Sequence, residues 1–124
     1  RSKKIDSDEY AEGCLNVWEQ NEKVYYSIME IGIYPSPFNN IHLIDQTTLA
    51  IHFPDIIDSQ GNKIFASLQE DGKGGDICSV NDYIDSGLKG VAIYQNYGFR
   101  IDRKGKAMGI SFSSRDIEII GIQQ

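Results

Sequence analysis

Glu9-Tyr10-Ala11-Glu12-Gly13-Cys14-Leu15-Asn16-Val17-Trp18-Glu19-Gln20-Asn21-Glu22-Lys23-Val24-Tyr25-Tyr26-Ser27-Ile28-Met29-Glu30 is the stretch on which the fold turns. Asp6-Ser7-Asp8-Glu9 in front of it offers capping oxygens and negative charge suited to a helix N-terminus. Ala11, Cys14, Leu15 and Trp18 then recur at three- and four-residue steps, with Glu12, Asn16, Glu19 and Gln20 between them. That spacing predicts an amphipathic helix over about 8–30, weakened where Asn21 and Glu22 interrupt the apolar stripe. The competing reading makes Lys23 to Tyr34 a strand, because Val24, Tyr25, Tyr26, Ile28, Ile31, Ile33 and Tyr34 all favour extended backbone.

Beyond this stretch the pattern changes. Gly32 to Asn40, with Pro35, Pro37 and Asn39-Asn40, reads as a connection. Leu49, Ile51 and Phe53 alternate with Ala50 and His52, and Lys63 to Leu68 follows the turn Asp58-Ser59-Gln60-Gly61-Asn62, which predicts a hairpin. Gln69 to Asp76 has three glycines and no apolar anchor, so a mobile surface loop is expected, then a helical turn within Ser79 to Ser86. Gly90–Gln95, Phe99–Asp102, Ala107–Ser113 and Ile117–Ile122 read as four strands joined by connections short enough to force a meander. The expected fold is therefore α+β: an N-terminal amphipathic helix on an antiparallel sheet of about five to six strands, with a C-terminal meander. One domain spans 1–124, with 1–5 disordered or a former linker and the sheet over about 41–123.

Composition agrees with a sheet-rich core: 19 Ile stand against 5 Leu and 4 Val. At 124 residues the chain supports one hydrophobic core, and its 24% charged and 40% hydrophobic residues are those of a globular protein. The chain opens on Arg1-Ser2-Lys3-Lys4 without Met, which reads as a fragment or processed product, and a basic quartet of this kind often flanks an anchor. No stretch approaches the roughly 20 apolar residues of a membrane helix, so no membrane insertion by this chain is expected. The dipeptide Ile-Asp occurs at 5–6, 44–45, 57–58, 84–85 and 101–102 and reads as punctuation, Ile closing a buried run and Asp opening a turn on its own backbone.

The chemistry is read mostly by exclusion. Gly72-Lys73-Gly74-Gly75 lacks the rest of a phosphate loop and sits among Glu70, Asp71 and Asp76, and Lys73 interrupts any calcium-ligand rhythm. His42 and His52 are not at zinc-ligand spacing, and His52 with Asp55 or Asp58 has no accompanying nucleophile motif. No cofactor, metal or catalytic residue is assigned, and a non-enzyme is expected. The basic hairpin Arg100 to Lys106, beside Tyr94, Tyr97 and Phe99, reads as an ordinary charged turn because a net charge of −6 repels nucleic acid. Cys14 and Cys78 are disulfide candidates, or else two reduced thiols, and the pair decides between an extracytoplasmic and a cytoplasmic location.

What remains is protein binding. Residues 5 to 31 carry seven acids and one Lys, which suits a partner with a basic surface. Glu9, Glu12, Glu19, Glu22, Asp71 and Asp76 are the candidate partner-binding residues, with Tyr10, Tyr25 and Tyr26 as anchors or as packing groups. The function this suggests is a bacterial-type acidic inhibitor or immunity-like protein. The Ile-rich segment Ile117–Ile122 raises the further expectation of self-association through an edge strand.

Phe99-Arg-Ile-Asp-Arg-Lys-Gly105 followed by Gly109-Ile-Ser-Phe112 is similar to a late hairpin in some type IV pilins and pseudopilins, and the order of parts resembles theirs. The resemblance implies an N-terminal helix whose soluble half packs on a meander, and a role as structural subunit of an extracytoplasmic assembly, in the periplasm or on the cell surface.

Overall fold

A computed structural model describes residues 1–30, 41–80, 88–95, 98–103, 106–109 and 117–124. Among these residues twelve strands form in chain order: β1 (Ser2–Lys3), β2 (Tyr10–Ala11), β3 (Cys14–Gln20), β4 (Lys23–Met29), β5 (Ile41–Leu43), β6 (Ala50–Ile51), β7 (Ala66–Ser67), β8 (Asp76–Val80), β9 (Leu88–Gln95), β10 (Gly98–Arg103), β11 (Lys106–Gly109) and β12 (Ile117–Ile122). The one helical element among the described residues is a single 3-10 turn, Gln46–Thr48. The α+β expectation is thus corrected: the protein is a mixed-sheet structure, and the helix over 8–30 is a β-hairpin.

Strands β3 and β4 pair antiparallel through seven residues, from Cys14 opposite Met29 to Gln20 opposite Lys23. Asn21 and Glu22, which interrupted the apolar stripe, both adopt positive φ (53° and 63°) and close a two-residue hairpin of the type I′ family. The apolar residues that suited a helix are distributed over both faces of this ribbon. Strand β5 joins through Ser27, Ile28 and Met29, completing a three-stranded sheet in the order β3-β4-β5. The order of parts that resembled pilins, a helix followed by a meander, is therefore not found over 8–30.

Residues 1–5 are also part of the fold. Ser2 is buried, β1 pairs with β2, and the Ser2 and Thr48 hydroxyls lie 2.9 Å apart. The Arg1 guanidinium donates to the Asp76 carboxylate at 2.7 Å and to the Gly74 carbonyl at 3.0 Å, while stacking over Phe65 at 4.5 Å. Asp76 in turn accepts the Phe65 N–H at 2.8 Å. Arg1, β7 and β8 are locked together by this cluster.

The large sheet runs β11-β10-β9-β7-β6, and β8 lies against β9 with β12 beyond it. The hairpin expected from Leu49 to Leu68 forms, shortened to β6 and β7. Strands β9, β10 and β11 make the expected meander, but β12 leaves it and pairs with β8. One contact, Ser67 beside Ile93, is parallel, so the sheet is not purely antiparallel. Ile64, Ala66, Cys78, Ala92, Ile101 and Ile117 form the main core, and Ala11, Ile28 and Ile44 form a second, smaller one under the three-stranded sheet.

The glycine-rich segment is a packed corner, not a mobile loop. Gly72, Gly74 and Gly75 are buried. Gly74 has φ +82°, and a Cβ there would run into the Thr48 carbonyl, while one on Gly75 would meet the Ala92 carbonyl. Close backbone approach is therefore what these glycines serve. Ser79 and Val80, assigned to a helical turn, belong to β8. The connection Gly32–Asn40, Asn81 to Ser86, Tyr97, Ile110 to Ser113 and the turn Ser114-Arg115-Asp116 lie outside the described residues.

Two Ile-Asp pairs behave as punctuation. Ile44 is buried and Asp45 accepts the Thr47 N–H at 3.0 Å to start the 3-10 turn. After Ile57, Asp58 accepts the N–H groups of Gln60 and Asn62 at 2.9 and 2.8 Å. The pair Ile101-Asp102 sits inside β10 and starts no turn.

Candidate functional site: an exposed N-terminal sheet

The three-stranded sheet holds an unusual share of exposed apolar surface. Of eleven large apolar side chains exposed among the described residues, seven are here: Leu15, Val17, Trp18, Val24, Met29, Ile41 and Leu43. The alternation of strand side chains sorts the hairpin into two faces. On one, Leu15, Val17 and Glu19 lie opposite Ile28, Tyr26 and Val24. Ile28 anchors this face to the small core, but Val17 and Val24, farther out along the ribbon, are 54% and 50% exposed. On the other, Trp18 lies opposite Tyr25, their rings stacked at 5.5 Å and 16°. Met29, Ile41 and Leu43 continue that face across β4 and β5. The hairpin tip is apolar on both sides because it extends past the body of the protein.

The candidate acids fall into three groups. Glu12, Glu19 and Glu22 are exposed on or beside the hairpin, immediately before β3, within it and at its turn. Glu9 is exposed nearby and paired with Lys4 at 3.1 Å. Asp71 lies on the glycine-rich corner, where it accepts the Lys73 N–H, and Asp76 is 1% exposed and engaged with Arg1. The structure therefore places Glu19 and Glu22 at the hairpin tip near the exposed apolar side chains and Glu12 at the opposite end of β3, and leaves Asp71 and Asp76 elsewhere. Tyr26 packs against the small core, whereas Tyr25 is the ring under Trp18. Sequence reasoning placed Leu15 and Trp18 on a buried stripe. The signal that they are surface anchors was the presence of apolar residues on both parities, Leu15 and Val17 against Trp18.

The cysteines are separate free thiols: Cys14 is exposed at the start of β3 and Cys78 is buried in β8. The candidate disulfide between them is not formed. Burial first, then the nearby Asp76 and Asp58 carboxylates, push the Cys78 thiol up to about 12, which leaves it un-ionised and inert at neutral pH. His42 faces Glu30 at 3.5 Å, and His52 packs edge-on against Phe65 at 5.1 Å. Asp58 has its oxygens occupied by its own loop and not by His52. Among the described residues no group of three or more His, Cys, Asp or Glu side chains is arranged to hold a metal ion. No helix among them is long and apolar enough to cross a membrane.

Comparison of the chain with family models, with curated proteins and with solved structures finds no match. The surface itself carries the functional reading.

Proposed function

We propose that this chain is a non-catalytic protein-binding domain, of the acidic inhibitor or immunity-like kind, that takes a basic partner on its β3-β4-β5 sheet. The observation that carries this reading is the coincidence of apolar anchors and acids on one projecting element. Interfaces combine a desolvated centre, rich in Trp and Tyr, with a polar rim that sets orientation and encounter rate. Here the Trp18–Tyr25 stack and Val17 supply the centre, and Glu12, Glu19 and Glu22 supply the rim. Rim acids of this kind act chiefly on association rate, so binding should weaken with salt.

The test is capture from an extract of the source cells with immobilised protein, followed by titration of the identified partner. The wild type should bind stoichiometrically. Trp18→Ala should weaken binding by roughly 2 kcal/mol or more, the range of an interface hot spot. The double reversal Glu19→Lys with Glu22→Lys should slow association and remove most of the salt dependence. A partner whose affinity is unchanged by all three substitutions binds elsewhere, and the reading fails.

A further inference from the structure

We infer that the partner docks by strand addition: an extended basic segment pairs with the outer edge of β3. This rests on the reading that the β3-β4-β5 sheet is the docking surface. The first argument is the direction of the backbone groups. A two-residue turn of this type closes on a hydrogen-bonded pair, here Gln20 with Lys23, and bonded and non-bonded pairs then alternate along the ribbon. Residues 14, 16, 18 and 20 bond to β4, and Leu15, Val17 and Glu19 turn their N–H and C=O groups outward. The carbonyl of Tyr26, opposite Val17, confirms the parity, because it accepts the Ile44 N–H on the far side of β4.

The second argument is that the edges of β12, β6 and β5 carry backbone bonds from neighbouring segments, whereas that of β3 carries none among the described residues. Outside β12, Ser59 donates its N–H to the Ile117 carbonyl, and the Ile119 N–H is directed at the Asp58 carboxylate. Strand β6 exchanges backbone bonds with Arg1. Beside β5, Ile5 donates to the Leu43 carbonyl and Lys4 bridges to Ile44. Among the described residues nothing pairs with the outer side of β3. Edges are ordinarily blunted by Lys, Pro, a bulge or a very short strand. Strand β3 reads Cys-Leu-Asn-Val-Trp-Glu-Gln, seven residues in unbroken register without Lys, Arg, Pro or Gly. It is an acceptor edge with three outward donors and three outward acceptors.

The third argument identifies the occupant. Glu12, Glu19 and Glu22 punctuate the edge, and β3 itself carries no basic side chain. An antiparallel strand therefore fits best with a basic residue opposite Glu19 and apolar residues opposite Val17 and Leu15, in the order basic-x-apolar-x-apolar. A second copy fits worse. The two-fold register centred on Val17 is the one that uses all three outward residues on both chains, and it places Glu22 of each copy opposite Glu12 of the other. Like charges directly opposed are destabilising.

The experiment is amide hydrogen exchange by NMR on the full chain, with and without the capped probe peptide Arg-Thr-Lys-Thr-Val-Thr-Val-Thr. Without peptide, the amides of Leu15, Val17 and Glu19 should exchange quickly and those of Asn16, Trp18 and Gln20 slowly. Saturating peptide should slow the first set by roughly tenfold or more and leave the second set unchanged. Val17→Pro removes the central outward donor while sparing the β3–β4 bonds, and should weaken the peptide by roughly tenfold. The exchange pattern decides the matter even if that variant does not fold. If the peptide binds and Trp18→Ala or Glu19→Lys weakens it, while the three outward amides stay fast, strand addition is overturned and face docking stands. If the peptide does not bind at all, strand addition is likewise overturned, and the surface reading rests on its own capture test. If the outward amides become protected with protein concentration alone and sedimentation shows a dimer, the occupant is a second copy and the basic partner is overturned.

Discussion

Removing the Asp58 side chain should both destabilise the protein and uncover the edge of β12. Asp58 is 2% exposed, and its carboxylate accepts the Gln60 N–H at 2.9 Å, the Asn62 N–H at 2.8 Å and the Asn62 side-chain amide at 3.2 Å, with the Ile119 N–H directed at it as well. Hydrogen bonds to a charged acceptor contribute about 1.5–3 kcal/mol each when one partner is deleted, but the loop 59–62 is exposed and water can replace part of the loss. We expect Asp58→Ala to cost about 3 kcal/mol, read as a fall in Tm of roughly 12 °C for a chain of this size. Asp58→Asn keeps the shape and loses the charge, and should cost about half as much.

The pH dependence has a definite sign. Burial works to raise the Asp58 carboxyl, but the N–H donors of Asn62, Gln60 and Ile119 outweigh it and hold it below the ordinary carboxylate value. A depressed value stabilises the fold above the unfolded-state pKa of about 3.9, and that contribution is lost as pH falls through the folded-state value. The gap between wild type and Asp58→Asn should therefore be constant from pH 5 to 7 and shrink below about pH 4. Urea unfolding across this range measures it, and sedimentation of Asp58→Ala should show concentration-dependent association through the opened β12 edge. A cost under about 0.5 kcal/mol, the range of an unremarkable surface change, would refute the capping role assigned to Asp58.

Three further outcomes follow from the same structure. Gly74→Ala should destabilise by about 3 kcal/mol or prevent folding, since it adds a Cβ against the Thr48 carbonyl at a left-handed φ, and thermal unfolding reads this directly. Glu22→Gly should raise hairpin stability by about 1 kcal/mol by relieving its left-handed φ of 63°, measured by chemical denaturation. In native protein a thiol reagent should label Cys14 quickly and Cys78 only after unfolding, and equal rates at both would contradict the burial of β8.

The failure at residues 8–30 has a specific cause. Ala11, Cys14, Leu15 and Trp18 satisfy a helical period, while Leu15, Val17 and Trp18 also satisfy a ribbon that is apolar on both faces. The clean alternation that marks a half-buried strand was missing because neither face at the tip is buried. The turn gave little help, since Asn21-Glu22 lacks the glycine that usually announces a type I′ hairpin. By contrast, the strands from Gly90 to Asp102 were legible because short connections leave antiparallel pairing as the only option.

By itself the sequence determined the sheet-rich core, through its isoleucines, the Asx turns at Asp45 and Asp58, and the acidic bias of the N-terminal third. These depend on side-chain shape, local backbone bonding and net charge, which neighbours in the chain suffice to fix. Tertiary structure alone decided that Asp76 is buried against Arg1, that the glycine corner is packed between Thr48 and Ala92, that β12 pairs with β8, and that the outer edge of β3 is unpaired among the described residues while that of β12 is capped. Each of these joins residues far apart in the chain, and local propensity carries no information about which distant backbone will arrive to cover an exposed group.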